Sequence, residues 1–452
     1  MSAPVAASTM NVDDALELLV RQERDAQKIL NMVPSENSMS AFAKLPLVLD
    51  VYHRYFFNDG EDPNDWNFRG AQDAAPLETR LALELLRELA CAEHVNLRPL
   101  SGLSGMALIL GALGGPPGSD IVTVAPEQGG HYATRDLAER LGLRVSFMTG
   151  PDPHTIDLDA LARTLRARRP RLVYIDQSNC LFPLDVATLS EVIRDAAPET
   201  IFHVDASHWM GLILGRRLPN PLDAGADSFG GSTHKSFPGP QKAVFATRRA
   251  DLAATVRATQ FWMISSHHFA AAVALGLALL EFKHCDGQGY ASRVVENATG
   301  LGSALAERGI DVLAADRGFS GGHQLWIRTL SNGVDAFDAS HRLHAAGLRV
   351  NAFPELPGLP EPCLRIGVNE ATWLGIRHED LDELANIFAA AVAGQAGATD
   401  LAARVGTLRA RRAPPYTFAT RRPDVVARAG DLVRRAVAGT TPSLTYEPSR
   451  PA

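Results

Sequence analysis

Short apolar, β-rich runs alternate with stretches of helical periodicity through the middle of this chain, and that alternation restricts its fold more than any other feature. Residues 120–125 (DIVTVA), 144–148, 171–176, 200–205, 227–232 and 242–247 read as strands. Between them, 133–143, 157–168 and 187–196 carry apolar residues at helical spacing. Strands separated by helices pair in parallel, and a parallel sheet needs helices over its faces. The spacing therefore predicts an α/β domain with a mostly parallel sheet covered by helices. The pattern changes after about Gly287, where a helical stretch at 289–308 leads to strands at 323–329, 348–353 and 363–368 and a closing helix at 379–395. Pro354, Pro357, Pro360 and Pro362 exclude helix from the loop between two of these strands. The expected organisation is an N-terminal helical arm (1–45), a large α/β domain (46–288) and a small α+β C-terminal domain with a helical tail (289–452).

A chain of 452 residues is long for one hydrophobic core, and 46% apolar with 21% charged residues is the balance of an ordinary globular protein. The formal charge of -7 gives no electrostatic reason for nucleic-acid binding. The four cysteines form neither a metal knuckle nor a disulfide framework, which fits a reducing cytoplasm, and no metal is expected. The N-terminus lacks a signal-peptide pattern, and the most apolar helical stretch, 269–282, is shorter than the ~20 residues of a membrane span. It reads as a buried helix, and no membrane partner is expected. Arg409, Arg411, Arg412, Arg421 and Arg422 in the tail read as a solvated face.

The chemistry concentrates at strand ends. Residues 202–205 (FHVD) form an apolar strand closing on Asp205, and 232–235 (STHK) follow the next strand and reach Lys235. Ligands of such sheets sit at strand ends. A buried acid there needs a cationic partner, and a pyridinium nitrogen is one. A lysine amine nearby condenses with a carbonyl. Acid and lysine together point to pyridoxal phosphate held as a Schiff base on Lys235. Ser101, Gly102, Leu103 and Ser104 precede an apolar helical run, where backbone N–H groups suit a phosphate. Gly129 and Gly130 give His131 room to approach a ligand.

On these residues the chain resembles serine hydroxymethyltransferase and its folate-independent relatives, enzymes of the pyridoxal-phosphate-dependent transferase fold type I. The resemblance rests on 33–38 (VPSENS), 99–107 (PLSGLSGMA), 204–212 (VDASHWMGL), 232–240 (STHKSFPGP) and 364–367 (LRIG). It implies that Lys235 carries the Schiff base, Asp205 pairs with the pyridinium nitrogen and His208 lies near the phenolic oxygen. It also implies that His131 stacks on the ring, that Ser178, Thr233 and His234 touch the cofactor, and that Ser35 and Arg365 bind substrate, the arginine at its carboxylate. Relatives build each site at a dimer interface, so the resemblance implies a homodimer. Residues 261–268 (FWMISSHH) align with the family's cross-subunit phosphate loop but have lost most of its glycines.

Departures from the family select the reaction. Where hydroxymethyltransferases place a glutamate two residues after a tyrosine, this chain keeps Tyr52 but has Arg54, which cannot act as a general acid or base near neutrality. A family Tyr-Tyr-Gly-Gly segment becomes 67–70 (NFRG), with Phe68. Phe68, the segments 129–132, 176–178 and 234–242, and 414–418 (PPYTF) are similar to the L-threonine transaldolases. That resemblance implies cleavage of L-threonine to acetaldehyde and a glycyl quinonoid, which adds to an acceptor aldehyde to give a β-hydroxy-α-amino acid. His131 is the expected base for the β-hydroxyl, with Tyr52 as relay or orienting group. The alternatives are a hydroxymethyltransferase acting on serine or α-methylserine, an amino-acid racemase using Lys235 and Tyr52, and a non-catalytic binding protein.

Overall fold

The computed structural model describes residues 10–56, 64 and 66–438. A helix, Val12–Ala26, is capped by Asn11 and leads to a two-residue strand, β1 (Leu30–Asn31). The main sheet follows: β2 (His94–Asn96), β3 (Asp120–Val124), β4 (Arg144–Met148), β5 (Leu172–Asp176), β6 (Ile201–Asp205), β7 (Ser228–Ser232) and β8 (Ala243–Thr247). Their spatial order is β2-β8-β7-β6-β5-β3-β4. Pairs from β4 through β7 are parallel, and β8 runs antiparallel to both β7 and β2.

Period-two alternation along the strands explains why both faces need cover. Val122, Val124, Val173 and Ile175 enter one apolar cluster, while Ile121, Leu172 and Tyr174 enter another on the opposite face, beneath the helices Gly102–Leu113 and Ala250–Met263. The helix Phe269–His284, apolar over most of its length, is largely buried, with Lys283 and His284 in its last turn. No helix of the described residues is long and apolar enough to cross a membrane.

Beyond the helix Gly287–Ala306, a four-stranded antiparallel sheet in the order β12-β13-β10-β9 is built from β9 (Asp311–Val312), β10 (Gln324–Arg328), β12 (Asn351–Phe353) and β13 (Cys363–Gly367). The run expected as one strand at 348–353 is divided, and its first piece, β11 (Leu348–Arg349), instead pairs with β1, joining the N-terminal arm to this region. The register sets Arg365 of β13 opposite Trp326 on one side and Asn351 on the other.

The tail corrects one expectation. Arg411 and Arg412 do not form a freely solvated face, because both pair with Asp380, which is wholly buried in the first turn of the helix His378–Ala393. The Asp380 carboxylate also accepts the N–H of Arg377 and so caps that helix. Removing it strips a cap and a paired anion together. Asp380→Ala is expected to destabilise the fold by about 2–3 kcal/mol, read as a fall in urea midpoint at unchanged slope. A midpoint equal to that of the parent would show that the arginine pair contributes nothing to folding.

Candidate active site

The strand register assembles the site. Asp176 ends β5, Asp205 ends β6, and they are direct partners, with Gly230 of β7 opposite Asp205. The Asp205 carboxylate is fixed from two sides: the Tyr174 hydroxyl donates to Oδ2 at 2.8 Å and the Ser207 N–H to Oδ1 at 2.8 Å. Gly231 has φ +126°, and a Cβ there would lie 2.6 Å from the Ser207 nitrogen and 2.7 Å from Asp205 Oδ1. Only glycine lets β7 pass this close to the carboxylate. Burial raises the Asp176 pKa well above the usual carboxylate range, against the opposing hydroxyls of Thr134 and Thr123. Both adjacent carboxyls accept two hydrogen bonds, Asp176 from two hydroxyls and Asp205 from one hydroxyl and one backbone N–H.

Lys235 follows β7 by one turn. Its backbone carbonyl accepts from Asn37 Nδ2 at 2.7 Å and from Asn369 Nδ2 at 3.1 Å, which holds the lysine in place from both the N-terminal arm and the small-domain side. Among the described residues Nζ has no hydrogen-bond partner. Burial lowers its pKa from the usual 10.5, Asp205 opposes that shift, and the Arg365 guanidinium adds to it. The result is an amine that loses its proton more readily than a solvated lysine.

A cleft of about 370 Å³ is lined by Gly102, Leu103, Met106, His131, Asp176, Gln177, Ser178, Asp205, Ser207, His208 and Lys235. Ser101 caps the helix Gly102–Leu113, its Oγ accepting from the Ser104 N–H at 3.2 Å. The Gly102 and Leu103 N–H groups at that helix start make no backbone hydrogen bond among the described residues. Nearby, buried Ser232 Oγ and buried His234 Nδ1 have no hydrogen-bond partner among the described residues. His131 follows Gly129, whose φ of +89° makes the tight turn that presents the ring. The Ala133 N–H donates to His131 Nδ1 at 3.2 Å, and burial lowers the ring's pKa, so the imidazole is neutral with its proton on Nε2. His208 is buried and strongly depressed by burial; it contacts His323 at 3.2 Å and Gln324 at 3.1 Å. His323 in turn reaches Asn369 at 3.0 Å.

These residues fit pyridoxal phosphate: a fixed carboxylate for the ring nitrogen, an unpartnered amine for the carbonyl, and open N–H and hydroxyl donors for the phosphate. Arg365 is buried, with Nη1 donating to the Ser178 carbonyl at 3.3 Å and to Asn179 Oδ1, and its guanidinium carbon lies 4.8 Å from the Phe353 ring centre. Burial lowers its pKa to about 10, so it stays cationic at neutrality, and among the described residues its Nε has no partner. A surface role for Arg365 is excluded by this burial.

Other expected residues stand elsewhere. The Thr233 hydroxyl donates to the Pro240 carbonyl at 2.7 Å and supports the turn instead of facing the cleft. Ser35 is half-buried on the chain before Asn37 and does not line the cleft. Tyr52 and Phe68 are exposed (60% and 44%) and lie outside the cleft of the single chain. Arg54 pairs with Asp50 at 2.6 Å. Asp176, Asn37, His323, Gln324 and Asn369 were not foreseen as site residues. Asp176 had a sequence signal, since it ends an apolar strand just as Asp205 does.

The family model described as "Serine hydroxymethyltransferase" matches residues 9–388. A Streptomyces sp protein named L-threonine:uridine-5'-aldehyde transaldolase is 47% identical over 401 residues, covering 88% of this chain and 95% of that one. An Amycolatopsis sp protein of the same name is 44% identical over 377 residues, covering 82% and 90%. The crystal structure of L-threonine transaldolase from Pseudomonas fluorescens in internal aldimine state superposes with a TM-score of 0.80 at 26% identity, covering 94% of this chain and 98% of that one.

The depressed Lys235 amine generates a measurable signature. Apo-protein loaded with pyridoxal phosphate, reduced with borohydride and mapped by peptide mass is expected to carry the label on Lys235, with a loading midpoint below pH 10.5. Labelling of a different lysine, or a midpoint at or above that value, would contradict the site.

Proposed function

This chain belongs to the serine hydroxymethyltransferase family, and we propose that it is a pyridoxal-phosphate-dependent, folate-independent transaldolase. It cleaves L-threonine to acetaldehyde and transfers the remaining glycyl unit to an acceptor aldehyde, giving a β-hydroxy-α-amino acid. The names of its relatives make uridine-5'-aldehyde the first acceptor to test. The observation that carries this reading is that Asp205 and Lys235 line one cleft, with Arg365 held on the carbonyl of the cleft residue Ser178 and close enough to act on the Lys235 amine. The position where the family keeps its glutamate for the folate-dependent step holds Arg54 instead.

Each residue has a task that its geometry supports. Pyridoxal phosphate, when bound, supplies the electron-accepting ring on which carbon-carbon cleavage of an amino acid depends. Asp205, with its oxygens already oriented by Tyr174 and Ser207, holds the proton on the ring nitrogen. Arg365 offers its unpartnered Nε to the substrate carboxylate and so sets which bond of the amino acid faces the cleft. His131 is neutral, the state a base requires, and its acceptor Nδ1 is occupied only by a 3.2 Å bond that a β-hydroxyl can displace. Lys235 Nζ takes and returns protons at the amine it exchanges with substrate. The exposed Tyr52 and Phe68 complete a neighbouring site in a homodimer, Tyr52 as the hydroxyl-orienting group. The exposed free Cys91 suits a reducing cytoplasm, and the boundary between large and small domains falls at the start of the helix Gly287–Ala306.

Purified holoenzyme given L-threonine without any pterin is expected to release acetaldehyde. Arg365→Lys should raise the KM for L-threonine about 10–100-fold, the loss of a charged, geometrically matched hydrogen bond. No acetaldehyde from threonine, together with serine cleavage that depends on tetrahydrofolate, would overturn the proposal.

A further inference from the structure

A transaldolase needs a place for its second substrate, and one groove of this fold opens from the cofactor cleft. It has a volume of about 980 Å³ and shares Ser178 with the cleft, and its wall includes Gly130 and Tyr132, which flank His131. An aldehyde in this groove is therefore next to His131, the base of the proposed reaction. The far wall is the proline-rich segment of the small domain. That segment is a built surface: Leu356 and Leu359 exchange N–H···O bonds of 3.0 and 2.7 Å, and both side chains are buried against Leu181 and Trp326.

The groove's chemistry is specific. Tyr132 is 77% exposed, its ring stacked on that of His131 at 4.6 Å and 24°. Glu127 and Glu355 both line the groove and are in no ion pair or hydrogen bond among the described residues. Unpaired carboxylates accept hydrogen bonds and repel anions, and an exposed aromatic face takes a planar ring. We propose that this groove binds the acceptor aldehyde, with Tyr132 stacking on a flat base and Glu127 and Glu355 accepting from vicinal hydroxyls. The enzyme thereby selects uncharged, polyhydroxylated aldehydes of nucleoside type and rejects phosphorylated ones. This rests on the transaldolase reading and assigns it a second-substrate site.

The test compares acceptors within one enzyme. Holoenzyme with saturating L-threonine is offered uridine-5'-aldehyde, its 2',3'-dideoxy counterpart and glyceraldehyde 3-phosphate, and the amino-acid products are quantified by mass while acetaldehyde is followed in the same samples. The wild type is expected to prefer the diol over the dideoxy acceptor by about tenfold or more in kcat/KM, and to use the phosphorylated aldehyde poorly. Glu127→Ala/Glu355→Ala, which removes both acceptors, should bring the diol preference close to one, and Glu355→Lys should raise use of the phosphorylated aldehyde. A wild type with no diol preference, or variants that keep it unchanged, would overturn the acceptor site alone. A wild type that releases no acetaldehyde with any acceptor would overturn the transaldolase reading and this inference with it.

Discussion

The site depends on one carboxylate held at one point. Asp205 ends a strand buried on both faces, where an unpaired charge is costly. The Tyr174 hydroxyl and the Ser207 N–H offset part of that cost, and the cationic ring nitrogen of the cofactor would offset more. Tyr174 lies one strand away on the same face, stacked on His203, and Gly231 lies on the next strand. Three neighbouring strands therefore have to keep their register for Asp205 to keep its orientation. A one-residue slip of β5, β6 or β7 would turn these side chains to the opposite face.

The second constraint joins the two sheets. Asn369, at the end of the segment that follows β13, donates to the Lys235 carbonyl and to the Glu36 carbonyl, while its Oδ1 meets His323. His323 meets His208 beside the cleft. Burial keeps both histidines neutral, so the chain of contacts transmits position without introducing further charge next to Lys235. The small-domain side also supplies Arg365 and the wall of the acceptor groove. Lysine placement, carboxylate recognition and acceptor access thus share one structural support.

Much of the fold was legible because the central strands are uniformly apolar and the helices between them are periodic; the expected strands of the main sheet appear within a residue of their expected ends. The division of 348–353 was not legible, since pairing with β1 is a long-range choice that no local pattern encodes. At the site, Asp205 and Lys235 could be read because chemistry at strand ends leaves a local signature, whereas His131, His208 and Ser178 came from the family resemblance; all five line the cleft. Asn37 and Asn369 could not: an amide that donates to a distant carbonyl looks like any other asparagine in sequence. Arg411 and Arg412 were read as solvated because their partner, Asp380, lies across a helix junction. Thr233, next to the lysine in a strong motif, supports the turn through Pro240, which proximity in sequence does not reveal.

The central claim is that the glycyl unit of L-threonine is carried on this Asp205 and Lys235 frame to an aldehyde carbon without a one-carbon carrier. It is tested most directly by following the carbon itself. L-threonine labelled with ¹³C at the α-carbon, incubated with holoenzyme and uridine-5'-aldehyde in the absence of folate, should place the label at the α-carbon of a single new β-hydroxy amino acid bearing the nucleoside. Label recovered only in threonine or free glycine, with transfer appearing on addition of tetrahydrofolate, would contradict the account.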